Sequence, residues 1–195
     1  TACKTAETGY IQRRLITILQ SEKTGFDGTV RDANNGIVMF KYGGDGMDPE
    51  KMIKVASPTL AMSGSAQEVA EKWCGGPGEE ATRLEEVISI AKHAASVFGI
   101  DNIKYIHLPF DLADYYFSSQ RKPVLIAPSE LIPIVAEAEN RLIDLVGNKL
   151  SCNHILVHIR SCLVAKRLAG VTLEKVKEVL NTCVEIAEMS VCQGG

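Results

Sequence analysis

The sequence lacks both a long apolar segment and an excess of charge of either sign. No run of about eighteen apolar residues occurs and the first residues are polar, so neither a membrane span nor a secretory signal is predicted. The net charge is −3 at pH 7, so the total does not indicate a polyanion-binding surface. Any contact with nucleic acid must therefore come from a local cluster of lysine and arginine side chains.

Cys-x-x-Cys pairs are also absent, although the chain contains six cysteines. The cysteines are scattered, mostly on predicted apolar helix faces, at Cys3, Cys74, Cys152, Cys162, Cys183 and Cys192. Three disulfides are possible by count, but a chain of this size can build its own core without them. We expect buried free thiols in a reducing compartment, because an unpaired cysteine behaves as a small hydrophobe.

A zinc site is the alternative interpretation for some of these residues. His154 and His158 lie one helical turn apart, with Cys152 nearby, which is part of what a tetrahedral site requires. A fourth ligand has no obvious source in the sequence. We therefore expect two ordinary histidines on a half-buried helix, and no metal site is assigned.

The composition favours a globular chain of one or two domains, since hydrophobic residues make up 46% of it. The periodicity predicts an α+β fold that is mainly α-helical, with a small β-hairpin. Apolar residues recur at helical spacing in residues 4–21, at Ile11, Leu15, Ile18 and Leu19. Asn34-Asn35-Gly36 then separates two extended segments and predicts a hairpin turn with positive φ at both turn positions. Such a two-stranded ribbon must pack on helices or pair with another strand, and a partner strand outside the chain is one of the open alternatives.

Residues 49–150 are predicted to form a mainly helical insertion. We expect helices over 79–98, from a cap at Asp111 to about 120, and from a cap at Ser129 to 146, with short strands at 103–108 and 124–126. The aromatic group contains Tyr105, Tyr115, Tyr116 and Phe117. A base-stacking surface is one interpretation of this group, but its spacing favours packing in the core.

Residues 151–195 are predicted to form a closing pair of antiparallel helices. Ser151 is expected to cap the first helix and Gly170 to end it, and Thr172 is expected to cap the second. Because helix 4–21 has no room for a cap and an entry loop before it, we also expect the chain to be part of something longer.

Several motifs resemble the largest subunit of multisubunit DNA-directed RNA polymerases. KTAETGYIQRRL at 4–15, DGTVR at 27–31 and YGGDGMD at 42–48 occur in the family's order, and RSCLVAKR at 160–167 is similar to its RSRLATRR helix. The resemblance is strong in residues 1–48 and moderate in 151–190. It implies three parts: 1–48, the base helix of the trigger loop and the hairpin; 49–150, a jaw-like insertion; and 151–195, the closing helices, packed on 1–48.

This resemblance implies a fragment from just after the trigger loop, which forms jaw and cleft wall, anchors that loop and supports downstream DNA. It implies other polymerase subunits and downstream DNA as partners, and no membrane. In the parent nucleotidyltransferase, Mg²⁺ is held by an aspartate motif that has no counterpart here, so the chain alone is expected to be inactive and to hold no cofactor. Asp32, Asp45 and Asp48 fit turns better than a metal site.

The matching motifs place six cations near the nucleic-acid cleft, namely Lys4, Arg13, Arg14, Arg160, Lys166 and Arg167. They are the candidate nucleic-acid-binding residues, and they would contact phosphates without reading sequence. The alternative is that they lie on solvated helix faces or form internal ion pairs with Glu7 or Glu22.

A second function remains open, an autonomous interaction module that binds DNA or a partner polymerase subunit without catalysis. An intracellular location is expected in either case. Divergence from the family pattern would suit a large DNA virus, with the protein then in the host cytoplasm and the virion, but archaeal and organellar-plasmid sources also fit.

Overall fold

The computed structural model describes residues 2–100, 103–116, 126–168 and 170–192, with the side chains of residues 2, 3, 114 and 116 left out. The chain divides into two compact units. Unit 1 contains residues 1–47 and 191–195, and unit 2 contains residues 48–190. The mainly α-helical α+β class predicted from the sequence is confirmed. Within the described ranges, no helix combines the length and the apolarity needed to cross a bilayer.

Unit 1 begins with helix α1 (Ala2–Leu19), which confirms the predicted helix. Strands β1 (Lys23–Thr24), β2 (Val30–Arg31) and β3 (Ile37–Met39) follow and form an antiparallel sheet in the order β1-β2-β3. The predicted hairpin is thus confirmed as β2 and β3. The hairpin was expected to pack on helices or to pair with another strand, and it pairs with a strand of this chain, since β1 pairs with β2.

The turn between β2 and β3 is organised by Asp32. Its Oδ1 accepts from the N–H groups of Asn34 and Gly36, at 2.9 and 2.7 Å. Positive φ is found at Asn35, with φ 65°, and not at both turn positions as predicted. The loop is therefore longer than the expected two-residue turn. The Asp32 carboxylate accepts the hydrogen bonds of the loop amides, and Asn35 alone adopts the left-handed conformation.

Two segments of unit 1 that are far apart in sequence meet. Met47 and Val191 form an antiparallel bridge, and the N–H of Cys192 donates to the carbonyl oxygen of Gly46 at 2.8 Å. The wider prediction that residues 151–195 pack on residues 1–48 stays a prediction.

Unit 2 is mainly helical. Its helices are α2 (Pro58–Ala61), α3 (Ala66–Cys74), α4 (Glu79–Val97), α5 (Leu112–Tyr116), α6 (Pro128–Val146), α7 (Lys149–Cys162) and α8 (Leu173–Met189). Its largest fully buried side chains come from α4, α5, α6, α7 and neighbouring segments, and include Leu84, Ile88, Leu131, Leu142 and Leu156. These apolar contacts hold α4, α6 and α7 together.

The helix boundaries of unit 2 confirm some predicted caps and correct others. The caps at Asp111 and Thr172 are confirmed by bonds to the N–H groups of Ala113 and Lys175. Asn148, not Ser151, caps α7, since its side chain accepts from the N–H of Leu150 at 2.9 Å. Helix α6 starts after Ala127, with Pro128 in its first turn, so the predicted cap at Ser129 was also wrong.

Helix α7 ends at Cys162, eight residues before the predicted end at Gly170. Tertiary contacts explain the early end. The carbonyl oxygen of Ser161 accepts from Trp73 Nε1 at 2.7 Å and from Arg167 Nη1 at 3.1 Å. The N–H of Ala165, which a continuing helix would direct to that carbonyl, donates instead to Glu80 Oε1 at 3.2 Å. Helix α8 then packs mainly against α6.

A two-stranded antiparallel sheet of β4 (Ile53–Ala56) and β5 (Tyr105–Leu108) completes unit 2. The predicted strand at 103–108 is confirmed as β5, and its partner β4 was not predicted. Most of the predicted strand at 124–126 lies outside the described residues, as does the end predicted for the helix that starts after Asp111.

The core assignment of the aromatic group was wrong for its described members. Tyr105 is 54% exposed, with Lys54 Nζ 4.1 Å from its ring centroid, and Tyr115 is 40% exposed. In β5 the buried positions are Ile106 and Leu108, because alternate strand residues face opposite sides. Phe117 and the side chain of Tyr116 lie outside the part of the chain that the structure describes.

Candidate nucleic-acid interface

Helix α1 presents three of the six predicted cations, Lys4, Arg13 and Arg14, and all three are exposed. Arg14 lies over the ring of Tyr10, with Cζ 5.7 Å from the ring centroid. This i,i+4 contact holds the guanidinium near the helix surface while leaving its charge in solvent. Within the described ranges no ion pair joins Arg13 or Arg14 to the acidic residues suggested as partners, Glu7 and Glu22.

The apolar side chains of α1 are exposed as well. Tyr10, Ile11, Leu15, Ile16, Ile18 and Leu19 each keep more than half of their surface accessible. A helix that exposes both cations and large apolar groups is typical of a surface that another macromolecule covers.

Arg160 lies in a different environment, because its side chain is only 9% exposed and stands between two carboxylates of unit 2. Its Nε and Nη2 donate to the two carboxylate oxygens of Glu139, at 2.7 and 2.9 Å, and Nη1 lies 3.2 Å from Glu86 Oε2. Nη1 also donates to the backbone carbonyl of Arg83. Burial opposes the charged form, but the hydrogen bonds and charges of Glu139 and Glu86 outweigh it and raise the pKa of Arg160.

Glu139 joins α6 to both α4 and α7. Arg83 of α4 donates to Glu139 Oε2 at 2.9 Å, so one buried carboxylate is shared by two guanidinium groups. Glu86 extends the cluster to Lys149, at 2.6 Å, and its pKa is lowered, first by the hydrogen bond from Lys149. Arg160 therefore forms internal ion pairs, but its partners are Glu139 and Glu86 and not the suggested Glu7 or Glu22. Sequence periodicity could not reveal this cluster, since its members are far apart along the chain.

Lys166 and Arg167 lie in the turn after α7, and both are exposed. Arg167 Cζ stands 5.0 Å from the centroid of the Trp73 ring, and its Nη1 donates to the carbonyl oxygen of Ser161. The aliphatic carbons of Lys166 lie beside Gly75, where an added Cβ would meet Lys166 Cδ at 3.1 Å. The structure therefore groups Lys4, Arg13 and Arg14 on one helix of unit 1, and groups Lys166 and Arg167 in one turn of unit 2.

Two of the residues considered for zinc are buried, and one of them makes a different contact. His158 is buried and its Nε2 accepts from the N–H of Leu112 at 3.1 Å. Cys152 is fully buried, and burial raises the pKa of its thiol to about 12. Among the residues with described side chains, no group of three or more His, Cys, Asp or Glu side chains is arranged to hold a metal ion.

The expected free thiols are confirmed at Cys74, Cys152, Cys162 and Cys183. Burial is confirmed at Cys152 and Cys183, whereas Cys74 and Cys162 are half-buried. Burial raises the pKa of the Cys74 and Cys162 thiols to about 11 and that of Cys183 to about 12, so these groups stay protonated at neutral pH.

Comparison with known proteins defines the class. The family model described as "RNA polymerase Rpb1, domain 5" matches residues 1–188, and the chain belongs to this family. The resemblance found in the sequence motifs is thereby confirmed.

Individual relatives agree with this assignment. The chain is 55% identical over 58 residues to the DNA-directed RNA polymerase III subunit RPC1 of Saccharomyces cerevisiae, covering 30% of the chain and 4% of the relative. It is 60% identical over 48 residues to the DNA-directed RNA polymerase subunit Rpo1N of Methanocaldococcus jannaschii, covering 25% and 4%. A Frog virus 3 (isolate Goorha) protein, named provisionally as DNA-directed RNA polymerase 008R, is 37% identical over 90 residues, covering 44% and 7%. The match thus spans only a small part of each relative's length.

Proposed function

We propose that the chain is a structural part of the largest subunit of a multisubunit DNA-directed RNA polymerase, and that it contributes to the wall of the nucleic-acid cleft. The observation that carries this proposal is the family match over residues 1–188. Similarity to polymerase subunits of yeast and an archaeon supports it. Other polymerase subunits and downstream DNA would be its partners in the assembled enzyme.

Helix α1 is the element that would contact the rest of the assembled polymerase. Its exposed apolar residues, such as Leu15 and Ile18, would pack against other parts of the largest subunit, and its cations would face phosphates. Anchoring of the trigger loop by α1, and a jaw role for residues 49–150, are finer forms of the same proposal. A helix that supports a moving loop must itself be held rigidly. Packing of α1 against the rest of the largest subunit would hold it in this way.

Five cations are proposed to meet phosphates, namely Lys4, Arg13, Arg14, Lys166 and Arg167. Each is exposed, so its charge can reach a ligand. Arg160 is left out because Glu139 and Glu86 already neutralise it. Its proposed role is to hold α4, α6 and α7 together.

Catalysis would belong to the parent enzyme. We propose that Mg²⁺ and the aspartates that hold it belong to other parts of the subunit. The chain alone is expected to be inactive. Its location would be that of the polymerase, inside the cell. The similarity to the Frog virus 3 protein agrees with a viral source, for which the host cytoplasm and the virion are the proposed locations.

The alternative is an autonomous module that binds DNA by itself, and the exposed cations of α1 are the observation in its favour. Titration of the isolated chain with labelled duplex DNA over a salt series separates the two. A structural part should show almost no saturable binding. An autonomous binder should saturate, with an affinity that falls steeply with salt.

The role of α1 is tested in the assembled polymerase. Arg13→Gln with Arg14→Gln should lower the salt dependence of downstream-DNA affinity by a slope of about 1 for each phosphate that is no longer neutralised. Lys175→Gln is the matched control, since it removes an exposed positive charge that pairs with Glu178 on α8. An unchanged salt slope in the double variant would contradict the proposal that these arginines bind phosphate.

A further inference from the structure

His158 is a buried titratable group that the proposed function does not use. It lies on α7 and only 4% of its surface is exposed. Its Nε2 accepts from the N–H of Leu112, the first residue of α5, at 3.1 Å. That amide is one of the donors that a helix start leaves without an intrahelical partner. A ring nitrogen accepts only when it carries no proton, so this contact requires the neutral imidazole with its proton on Nδ1.

A carboxylate stands beside the same nitrogen. Asp111 Oδ1 is 3.3 Å from His158 Nε2 and also accepts from the N–H of Ala113 at 2.9 Å. With the neutral ring, Nε2 and Oδ1 are two acceptors at close range. A proton on Nε2 would turn them into a hydrogen-bonded ion pair, and the Leu112 N–H would then face a donor. The site therefore has two arrangements that differ by one proton.

The groups that face His158 set the balance between these arrangements. Burial lowers the pKa of His158, the Asp111 carboxylate raises it, and the Arg167 guanidinium lowers it, and the result lies below the ordinary value of 6.5. On α7 itself, Cys162 Sγ is 3.8 Å from Nδ1 and 3.9 Å from Nε2. Its thiol has a pKa of about 11 and stays neutral.

We propose that His158 is a proton-sensitive latch between α7 and the start of α5. The neutral ring holds the Leu112 amide against α7, and the protonated ring releases that amide and pairs with Asp111. The latch is closed at neutral and alkaline pH and opens as the pH falls below the ordinary histidine range. It determines how firmly the segment from Asp111 to α5 is attached to the helical core, and it is independent of the polymerase role proposed above.

Amide exchange measured by NMR on the full chain tests the latch. From about pH 8 down to about pH 4, and after correction for intrinsic exchange, the protection of Leu112 should fall severalfold more than that of amides in α6. The ¹⁵N shifts of the ring at pH 8 should show the proton on Nδ1. A ring proton on Nε2 at pH 8, or a Leu112 protection that is independent of pH, would overturn the proposal.

Three variants test whether protonation of His158 controls the contact with the Leu112 amide. His158→Gln keeps an acceptor that does not titrate, so the protection of Leu112 should become independent of pH. Asp111→Asn removes the charge that favours the protonated ring, so opening should move to lower pH. His93→Gln removes a histidine of α4 that lies outside this site and should change nothing. If His158→Gln fails to fold, an opening midpoint that Asp111→Asn leaves unchanged or raises still overturns the latch.

Discussion

The two units of the chain differ in how much of their own surface they bury. In residues 4–47 of unit 1 the buried residues are Val30, Gly46 and Met47, whereas unit 2 has a core contributed by most of its helices. Yet unit 1 carries the motifs that most resemble the polymerase family. The segment with the highest similarity to the family therefore buries the smaller share of its own surface. This is expected where a sequence is constrained by contacts with the rest of an assembly.

The largest effect should come from the buried carboxylate of unit 2. Glu139→Ala leaves Arg83 and Arg160 without the charge they share and should lower the free energy of unfolding by about 3–5 kcal/mol, measured by urea denaturation. Glu188→Ala is the control, since its pair with Arg141 is about half exposed and should be worth no more than about 1 kcal/mol. Equal destabilisation in the two variants would contradict the burial of the cluster.

The next test compares the two units directly with the same substitution. Leu156→Ala empties a fully buried position on α7 and should cost about 2–5 kcal/mol. Leu15→Ala truncates a side chain of α1 that is 55% exposed, and should change the stability of the isolated chain by no more than about 0.5 kcal/mol. Thermal unfolding followed by circular dichroism measures both. A large destabilisation in Leu15→Ala would show that α1 is already packed within this chain.

The agreement between sequence and structure follows how local each signal is. Helix α4, the hairpin strands and the cap at Thr172 rest on periodicity, turn residues and a nearby hydroxyl, and all were predicted. Two of the missed features depend on partners far along the chain, namely the pairing of β4 with β5 and the early end of α7. The misplaced caps of α6 and α7 are local errors of one to three residues.

The candidate site divides in the same way. The cations of α1 are exposed as an isolated helix would present them, so the sequence described their surroundings well. Arg160 belongs to a motif in sequence but to an ion cluster in space, because its partners come from α4 and α6. No local pattern distinguishes a guanidinium in solvent from one neutralised by a residue of another helix.

A smaller effect separates the predicted cap of α7 from the observed one. Asn148→Ala removes the side-chain acceptor for the Leu150 amide and should cost about 1 kcal/mol. Ser151→Ala, at the position favoured by sequence, should stay within about 0.5 kcal/mol. Denaturant midpoints of the two variants give the comparison, and a reversal of their order would restore the sequence prediction.

The smallest effect is expected in unit 1, where the titration of one exposed carboxylate should be measurable without a change in the free energy of unfolding of the chain. Asp27 accepts from the N–H and hydroxyl of Thr29, at 3.1 and 2.6 Å, and pairs with Arg31 at 2.6 Å. Its pKa is lowered from the ordinary 3.8 to about 2, chiefly by the Thr29 hydroxyl. Since the folded pKa is the lower one, the carboxylate supports this turn fully above pH 3.8, and its support is lost as the pH falls towards about 2. The Thr29 amide shift should therefore titrate near pH 2, and this transition should vanish in Asp27→Asn. A midpoint at the ordinary value would mean that even this local structure of unit 1 does not persist in the isolated chain.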